Sequence, residues 1–236
     1  MHENVVYRRV RRADPALVAR AAALPVSDLY EALPNRDAAL MSPRMRPLVP
    51  GLRIAGSAVT ARCPPGDNLM MHRALLHAEA GDVLVVAVGD ARGAQWGDLA
   101  AVYARHRGLA GVIVDGSIRD ADALTALRFP VWATAISPSH PNKRAAGAVN
   151  VPVICDGARV NPGDVICADG DGALVIPRDQ LAAAVEAAER RQASEGAIIA
   201  AIKAGTSLFK LHDMEDAFRA SGVREIDAAW EDREEE

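Results

Sequence analysis

Apolar positions along the chain alternate between helical spacing and short unbroken runs. From Asp14, DPALVARAAALPVSDLYEAL carries apolar residues at helical spacing, predicting one or two helices with Asp14 as N-cap and Pro15 at the first helical position. RIAGSAVTARC (53–63) reads as a strand. The turn Pro64-Pro65-Gly66-Asp67 then leads into DNLMMHRALLHAEA, a predicted helix ending at Gly81. DVLVVAV (82–88) and GVIVD (111–115) are continuous apolar runs of the kind buried strands use, and DLAAVYARHRG (98–108) between them reads as a helix closed by Gly108. Strand, helix, strand in this order is a βαβ unit, and an ADALTAL helix followed by a PVWATAI strand continues the alternation, so the class is α/β.

Beyond residue 145 the texture changes to β runs separated by Asp-Gly and Asn-Pro-Gly-Asp turns, predicting a mixed or antiparallel sheet. An Ala-rich helix is expected from Arg178 to about Ala204, stopped by Gly205, with a shorter one near 213–220 and a solvated acidic tail, DAAWEDREEE. Residues 1–204 read as one catalytic domain and 205–236 as a C-terminal extension.

Composition narrows the class. A net charge of -4 argues against a general nucleic-acid binder, and with no apolar run near 18 residues a spanning helix is not expected. Cys63, Cys155 and Cys167 form no CxxC pair and the chain opens without an apolar leader, so a reduced, cytoplasmic protein with buried thiols is expected. The six histidines are scattered, which disfavours zinc.

In a right-handed βαβ unit the loops after both strands emerge on one sheet edge, where open α/β sheets bind ligands. The first loop, GDARGAQWGDLA (89–100), opens a helix at Asp98, whose free amides around Gly97, Asp98, Leu99 and Ala100 could hold a small carboxylate. The second, DGSIRDADAL (115–124), carries Arg119, able to pair with a carbonyl or carboxylate, and Asp120, able to hold a hard cation. Taken alone, a local ion pair for Arg119 and a helix cap for Asp120 are the favoured reading of those two residues. Trp96 either walls this site or packs. His72 and His77 lie on a helix that could approach it, although structural or surface roles suit them better. Asp67-Asn68 reads as a cap, and Asp169 and Asp171 as a hairpin turn.

Asp98, the twenty residues after it, and Arg119-Asp120 within VDGSIRD form an acidic-X20-Arg-Asp pattern. Together with GSAVTARC, FPVWATAISP and NVPVICDGARVNPGDVICADGDGALVIP, it resembles the class II 4-hydroxy-4-methyl-2-oxoglutarate / 4-carboxy-4-hydroxy-2-oxoadipate aldolases, which share a fold with the regulator of ribonuclease activity A (RraA) proteins. The resemblance implies an RraA-like layered α/β/β/α fold, swivelling-domain-like, with a central βαβ unit, a mixed sheet and a C-terminal helix. It also implies Asp120 as metal contact, Arg119 and Asp98 as catalytic residues, and Gly97 through Ala100 as the pyruvate-carboxylate contact. A homotrimer or homohexamer is implied, in which Glu195 of a neighbour approaches the metal waters. Cys155-Asp156-Gly157 departs from the Gly-Gly more typical there.

Such aldolases form a pyruvate enolate, which requires a Schiff-base lysine or a metal Lewis acid. Lysines are scarce: Lys203 and Lys210 lie toward the end of the long helix and Lys143 in the HPNKR loop, so none is expected in the cleft. A lone carboxylate suits Mg2+ or Mn2+. The expected activity is therefore metal-dependent cleavage of a small 4-hydroxy-2-oxo acid to pyruvate, with oxaloacetate decarboxylation through the same enolate. The alternative is a non-catalytic regulator that binds a ribonuclease; in the resemblance such regulators lack the metal aspartate, which this chain keeps. A methyltransferase is disfavoured because no GxGxG turn follows the first strand.

Overall fold

The computed structural model describes residues 4–90 and 92–232. It divides into a large unit, Met1–Arg190, and a small one, Arg191–Glu236. In the large unit Asp14 accepts the Ala16 amide and starts α1 (Pro15–Ala23), followed by α2 (Val26–Glu31), α3 (Arg36–Ala39), β1 (Arg46–Pro47), β2 (Ile54–Arg62), α4 (Leu69–Leu75) and β3 (Val83–Asp90). Next come α5 (Asp98–His106), β4 (Gly111–Ile118), α6 (Ala121–Leu127), β5 (Val131–Ile136) and β6 (Ala148–Val149). The short strands β7 (Val153–Cys155), β8 (Ala158–Val160), β9 (Val165–Ala168) and β10 (Ala173–Ile176) precede α7 (Leu181–Lys203).

The main sheet runs β1-β5-β4-β3-β2-β9-β10, with β6 beside β2 and β7-β8 as a separate hairpin. Strands β2 to β5 are parallel neighbours and the rest pair antiparallel. One face of β2–β5 packs on α4, α5 and α6 through residues such as Val86, Val112, Ala101 and Leu124. The other face meets β7–β10 through Val85, Ile113, Val153 and Ile166. The outer side of β9–β10 is covered by α1, α2 and the start of α7, where Leu29, Leu174 and Leu181 meet. These are the α/β/β/α layers the resemblance implies. Each fully buried Val, Leu or Ile in them contributes roughly 1.5–3 kcal/mol.

Two predicted boundaries move. The helix expected to reach Gly81 ends at Leu75, because the Asp82 carboxylate accepts the Glu79 amide at 2.7 Å and pairs with Arg12, while the Gly81 amide donates to the Gly108 carbonyl. The long helix starts at Leu181, not Arg178, whose amide and guanidinium bond to Asp164 and the Arg11 carbonyl. The Asp156-Gly157 turn joins β7 and β8 with φ of 44° and 91°, so aspartate adopts there the left-handed backbone that glycine favours. Asp169 and Asp171 sit in the β9–β10 hairpin, where Asp169 accepts the Val26 and Asp171 amides.

The small unit holds the last part of α7, then α8 (Leu208–Leu211), α9 (Glu215–Ala220) and a 3-10 turn at Trp230–Asp232. No helix among the described residues is long and apolar enough to cross a membrane.

Candidate functional site

The loop after β3 is held against the end of β4 by two backbone bonds: the Gln95 amide donates to the Ser117 carbonyl and the Arg119 amide to the Trp96 carbonyl. That clamp sets the start of α5 beside Arg119 and Asp120. Gly97, the residue before α5, has an extended backbone (φ -155°) open to any residue, so the constraint is space: a Cβ there would lie 2.5 Å from Asp120 Oδ2. Glycine lets the carboxylate reach the helix end.

Asp120 precedes α6 but does not cap it with its side chain. Its backbone is left-handed, φ 57°, a conformation that costs a non-glycine residue on the order of 1 kcal/mol or more. The turn sends the carboxylate toward α5, where Oδ2 accepts from Arg119 Nε at 3.1 Å and from the Asp98 amide at 3.4 Å. Burial would push the Asp120 carboxyl up, but the Arg119 guanidinium and the Asp98 amide and side chain outweigh it and hold it below its ordinary value. Asp98 in turn accepts the Leu99 amide at 2.7 Å. Two amides of the expected anion cradle therefore already face carboxylates, as the partial positive charge of a helix N-terminus favours.

These residues line a cleft of about 180 Å³. The structure brings Gly97, Asp98, Leu99, Ala100, Arg119 and Asp120 together in it. Trp96 both lines the cleft and packs, its ring buried and stacked on Phe129 at 5.9 Å. His72 is at the cleft; His77 is not one of its lining residues. Glu195 is exposed on α7 in the small unit.

Lys143 requires a correction. It was expected away from the site, yet it lines the cleft with His140 and Pro141. The 140–145 loop is drawn in by long-range bonds: the Asn142 amide donates to the Gly66 carbonyl, the Asn68 amide to the Asn142 carbonyl, and the Asp67 carboxylate accepts the Arg144 and Ala145 amides. Nothing in local periodicity signals a pairing across some 75 positions. His140 was also missed; its Nδ1 lies 3.5 Å from Arg119 Nη1.

Three buried polar atoms of lining residues lack a protein partner: Asn68 Oδ1, Gln95 Oε1 and Trp96 Nε1. Buried polar atoms are nearly always satisfied, and ordered water is the usual partner of such atoms. No group of three or more His, Cys, Asp or Glu able to hold a metal exists among the described residues. The thiols offer no ligands: all three are buried and free, burial pushing Cys63 and Cys167 up to about 12 and Cys155 well above its ordinary value.

With this geometry established, comparison with known proteins assigns the chain. The family model described as RraA-like, Aldolase/RraA, matches residues 25–175. The chain belongs to the RraA-like family. A protein of Halalkalibacterium halodurans named "Putative 4-hydroxy-4-methyl-2-oxoglutarate aldolase" is 36% identical over 173 residues, covering 73% of this chain and 80% of that one. Among solved structures, an uncharacterized protein from Pseudomonas syringae superposes with a TM-score of 0.74 at 26% identity, over 85% of this chain and 98% of the other. Streptomyces coelicolor RraAS2, described as an unusual member of the RNase ES inhibitor RraA protein family, superposes with a TM-score of 0.72 at 30% identity, over 80% and 98%. The RraA-like family thus includes both proteins named as aldolases and a protein named for ribonuclease inhibition.

Proposed function

We propose that this RraA-like protein is a divalent-metal-dependent carbon–carbon lyase that releases pyruvate from 4-hydroxy-2-oxo acids and decarboxylates oxaloacetate through the same enolate. The observation that carries the reading is the meeting of Arg119 and the Asp120 carboxylate at the glycine-opened N-terminus of α5.

The carboxylate of the pyruvyl end binds at the α5 amides from Gly97 to Ala100, where the protein's own carboxylates now sit. Arg119 donates to the 2-oxo oxygen and stabilises the charge that grows there as the C3–C4 bond breaks. Asp98 accepts the proton of the 4-hydroxyl, directly or through one water, while C4 becomes a carbonyl, and returns that proton to C3 of the enolate. With oxaloacetate, carbon dioxide leaves from C4 and only protonation at C3 remains.

Asp120, charged and partly exposed, suits Mg2+ or Mn2+ in a site completed by water and substrate oxygens. The ion, when bound, supplies Lewis acidity toward the 2-oxo group. A Schiff base at Lys143 is the competing chemistry, and the lysine's presence in the cleft keeps it from being dismissed on distance. Schiff-base lysines need a dry, apolar setting, whereas Lys143 is exposed. The reading includes assembly as a homotrimer or homohexamer, with the partner subunit's Glu195 reaching the cleft.

The test is pyruvate release from oxaloacetate and from 4-hydroxy-4-methyl-2-oxoglutarate, with magnesium and with EDTA. Turnover with magnesium that EDTA removes supports the proposal; metal-independent turnover, or none with either acid, overturns it. Tight binding to a ribonuclease with no lyase activity would favour the regulator instead.

A further inference from the structure

The chemistry proposed above turns on Arg119, whose guanidinium is held at Nε by the Asp120 oxygens, 3.1 and 3.3 Å away. One contact leaves a long side chain room to swing. The Arg119 side chain is part-exposed, so packing restrains it little, and an arginine loses much rotamer freedom when it is fixed. A second hold meets that cost before substrate arrives.

His140 supplies one, its Nδ1 standing 3.5 Å from Arg119 Nη1. An arginine only donates, so Nδ1 is the bare, accepting nitrogen and the ring proton sits on Nε2. Arg119 Nη2 makes no hydrogen bond among the described residues and is left to face the 2-oxo oxygen.

The contact is long, so its worth depends on how firmly the ring is placed, and His140 stands on a segment fastened on both sides. Before it, the Gly93 amide donates to Ser139 Oγ and the Ala94 amide to the Ser139 carbonyl, both at 3.2 Å, which ties the segment to the loop after β3. After it, Pro141 is buried and biases the His140 backbone toward extended conformations. The Asn142 amide then donates to the Gly66 carbonyl at 2.8 Å, and its carbonyl accepts the Asn68 amide at 2.9 Å. A histidine between two anchors presents its acceptor at a fixed point.

We propose that His140 is a positioning residue, which accepts from Arg119 Nη1 and so holds the guanidinium, between its own ring and the Asp120 carboxylate, in the orientation that turns Nη2 toward the 2-oxo oxygen. The inference rests on the lyase reading and adds a residue to it. His140 acts only through Arg119.

Two substitutions separate the acceptor from the bulk of the ring. His140→Phe keeps a ring without an acceptor, and His140→Asn keeps an acceptor, Oδ1, at the same remove from the backbone as Nδ1. With oxaloacetate and magnesium, His140→Phe is expected to lower kcat roughly 10-fold, as loss of one hydrogen bond to a charged group implies, with KM little changed because the α5 amides are untouched. His140→Asn is expected to recover most of that loss. Full rate in His140→Phe, equal losses in both variants, or a loss confined to KM overturns the proposal while the lyase activity stands. A second measurement needs no turnover: crystal structures of the native protein and His140→Phe in one crystal form. The Arg119 guanidinium is expected to be ordered against His140 in the first and displaced or disordered in the second; the same ordered position in both overturns the proposal. If the native protein releases no pyruvate, the lyase reading fails by itself, and the two structures alone decide whether His140 holds Arg119.

Discussion

Asp115, inside β4, and Asp120, two residues past its end, lie five residues apart, and their surroundings drive them in opposite directions. Asp115 borders the larger cavity, about 900 Å³, beside Arg62, Arg159 and the N-terminal segment around Tyr7. Burial pushes its carboxyl up, and the nearby Asp156 carboxylate adds to this beyond what Arg44 and the Asp156 and Gly89 amides return. Asp120 borders the smaller cleft, and the Arg119 guanidinium with the α5 amide holds it down. A carboxyl held below its ordinary value by a neighbouring cation and amide stays charged over a wider acid range than one pushed up by burial, and a charged carboxylate is what a hard cation needs. The acid held below its ordinary value, and with it the proposed cation site, borders the smaller of these two cavities.

The sharpest way to break this comparison is Asp120→Asn. Asparagine tolerates the left-handed backbone at 120, so the fold is expected to survive with a nearly unchanged Tm. Pyruvate release is expected to fall roughly a thousandfold or more, since Lewis-acid stabilisation is worth several kcal/mol. Activity that persists in magnesium would place the cation elsewhere.

Gly97→Ala comes next. The substitution asks nothing of the backbone, but its methyl would meet Asp120 Oδ2 at 2.5 Å and Arg119 Cγ at 3.2 Å and so displace both. A displacement near 1 Å can cost about 100-fold in rate. Stability should fall only by about 0.5–1 kcal/mol, as for a modest change at a helix N-terminus. Equal rates for Gly97→Ala and the native protein would show that the contact between the carboxylate and the helix end is not used in turnover.

Much of this comparison was legible in the sequence, and the illegible part has one cause. The βαβ unit, both site loops and the Asp14 cap are local, written in apolar runs, Gly108 and a Pro at the first helical position, and they form where expected. The acidic-X20-Arg-Asp pattern groups Asp98, Arg119 and Asp120, and the fold brings the three to one cleft. What escaped depends on contacts between distant residues. Asp82 and Gly108 end α4 early, and Asp67 and Asn142 carry Lys143 and His140 into the cleft. The raised carboxyl of Asp115 escaped too, because GVIVD looks the same whether its last residue faces an amide or another acid.

The smallest expected effect is the most specific to Asp115. A carboxyl whose value is raised in the folded state adds stability that is full below its unfolded value and is lost as pH rises through the folded one. Asp115→Asn removes that pH-dependent loss and can still accept the Asp156 amide that Asp115 bonds at 3.0 Å. Urea unfolding from pH 2 to 8 should therefore show the variant gaining on the native protein as pH rises through and above the carboxylate range. The gain is expected to be no more than about 1 kcal/mol, because the Asp156 and Gly89 amides and Arg44 already offset part of the burial cost. Asp120→Asn should show the reverse trend in the same experiment, losing ground as pH rises through the acid range, since the native Asp120 carboxyl is held below its ordinary value. If both variants tracked the native curve in parallel, the opposite settings of the two acids would carry no energetic weight, and the charge-based choice between the cavities would fall with them.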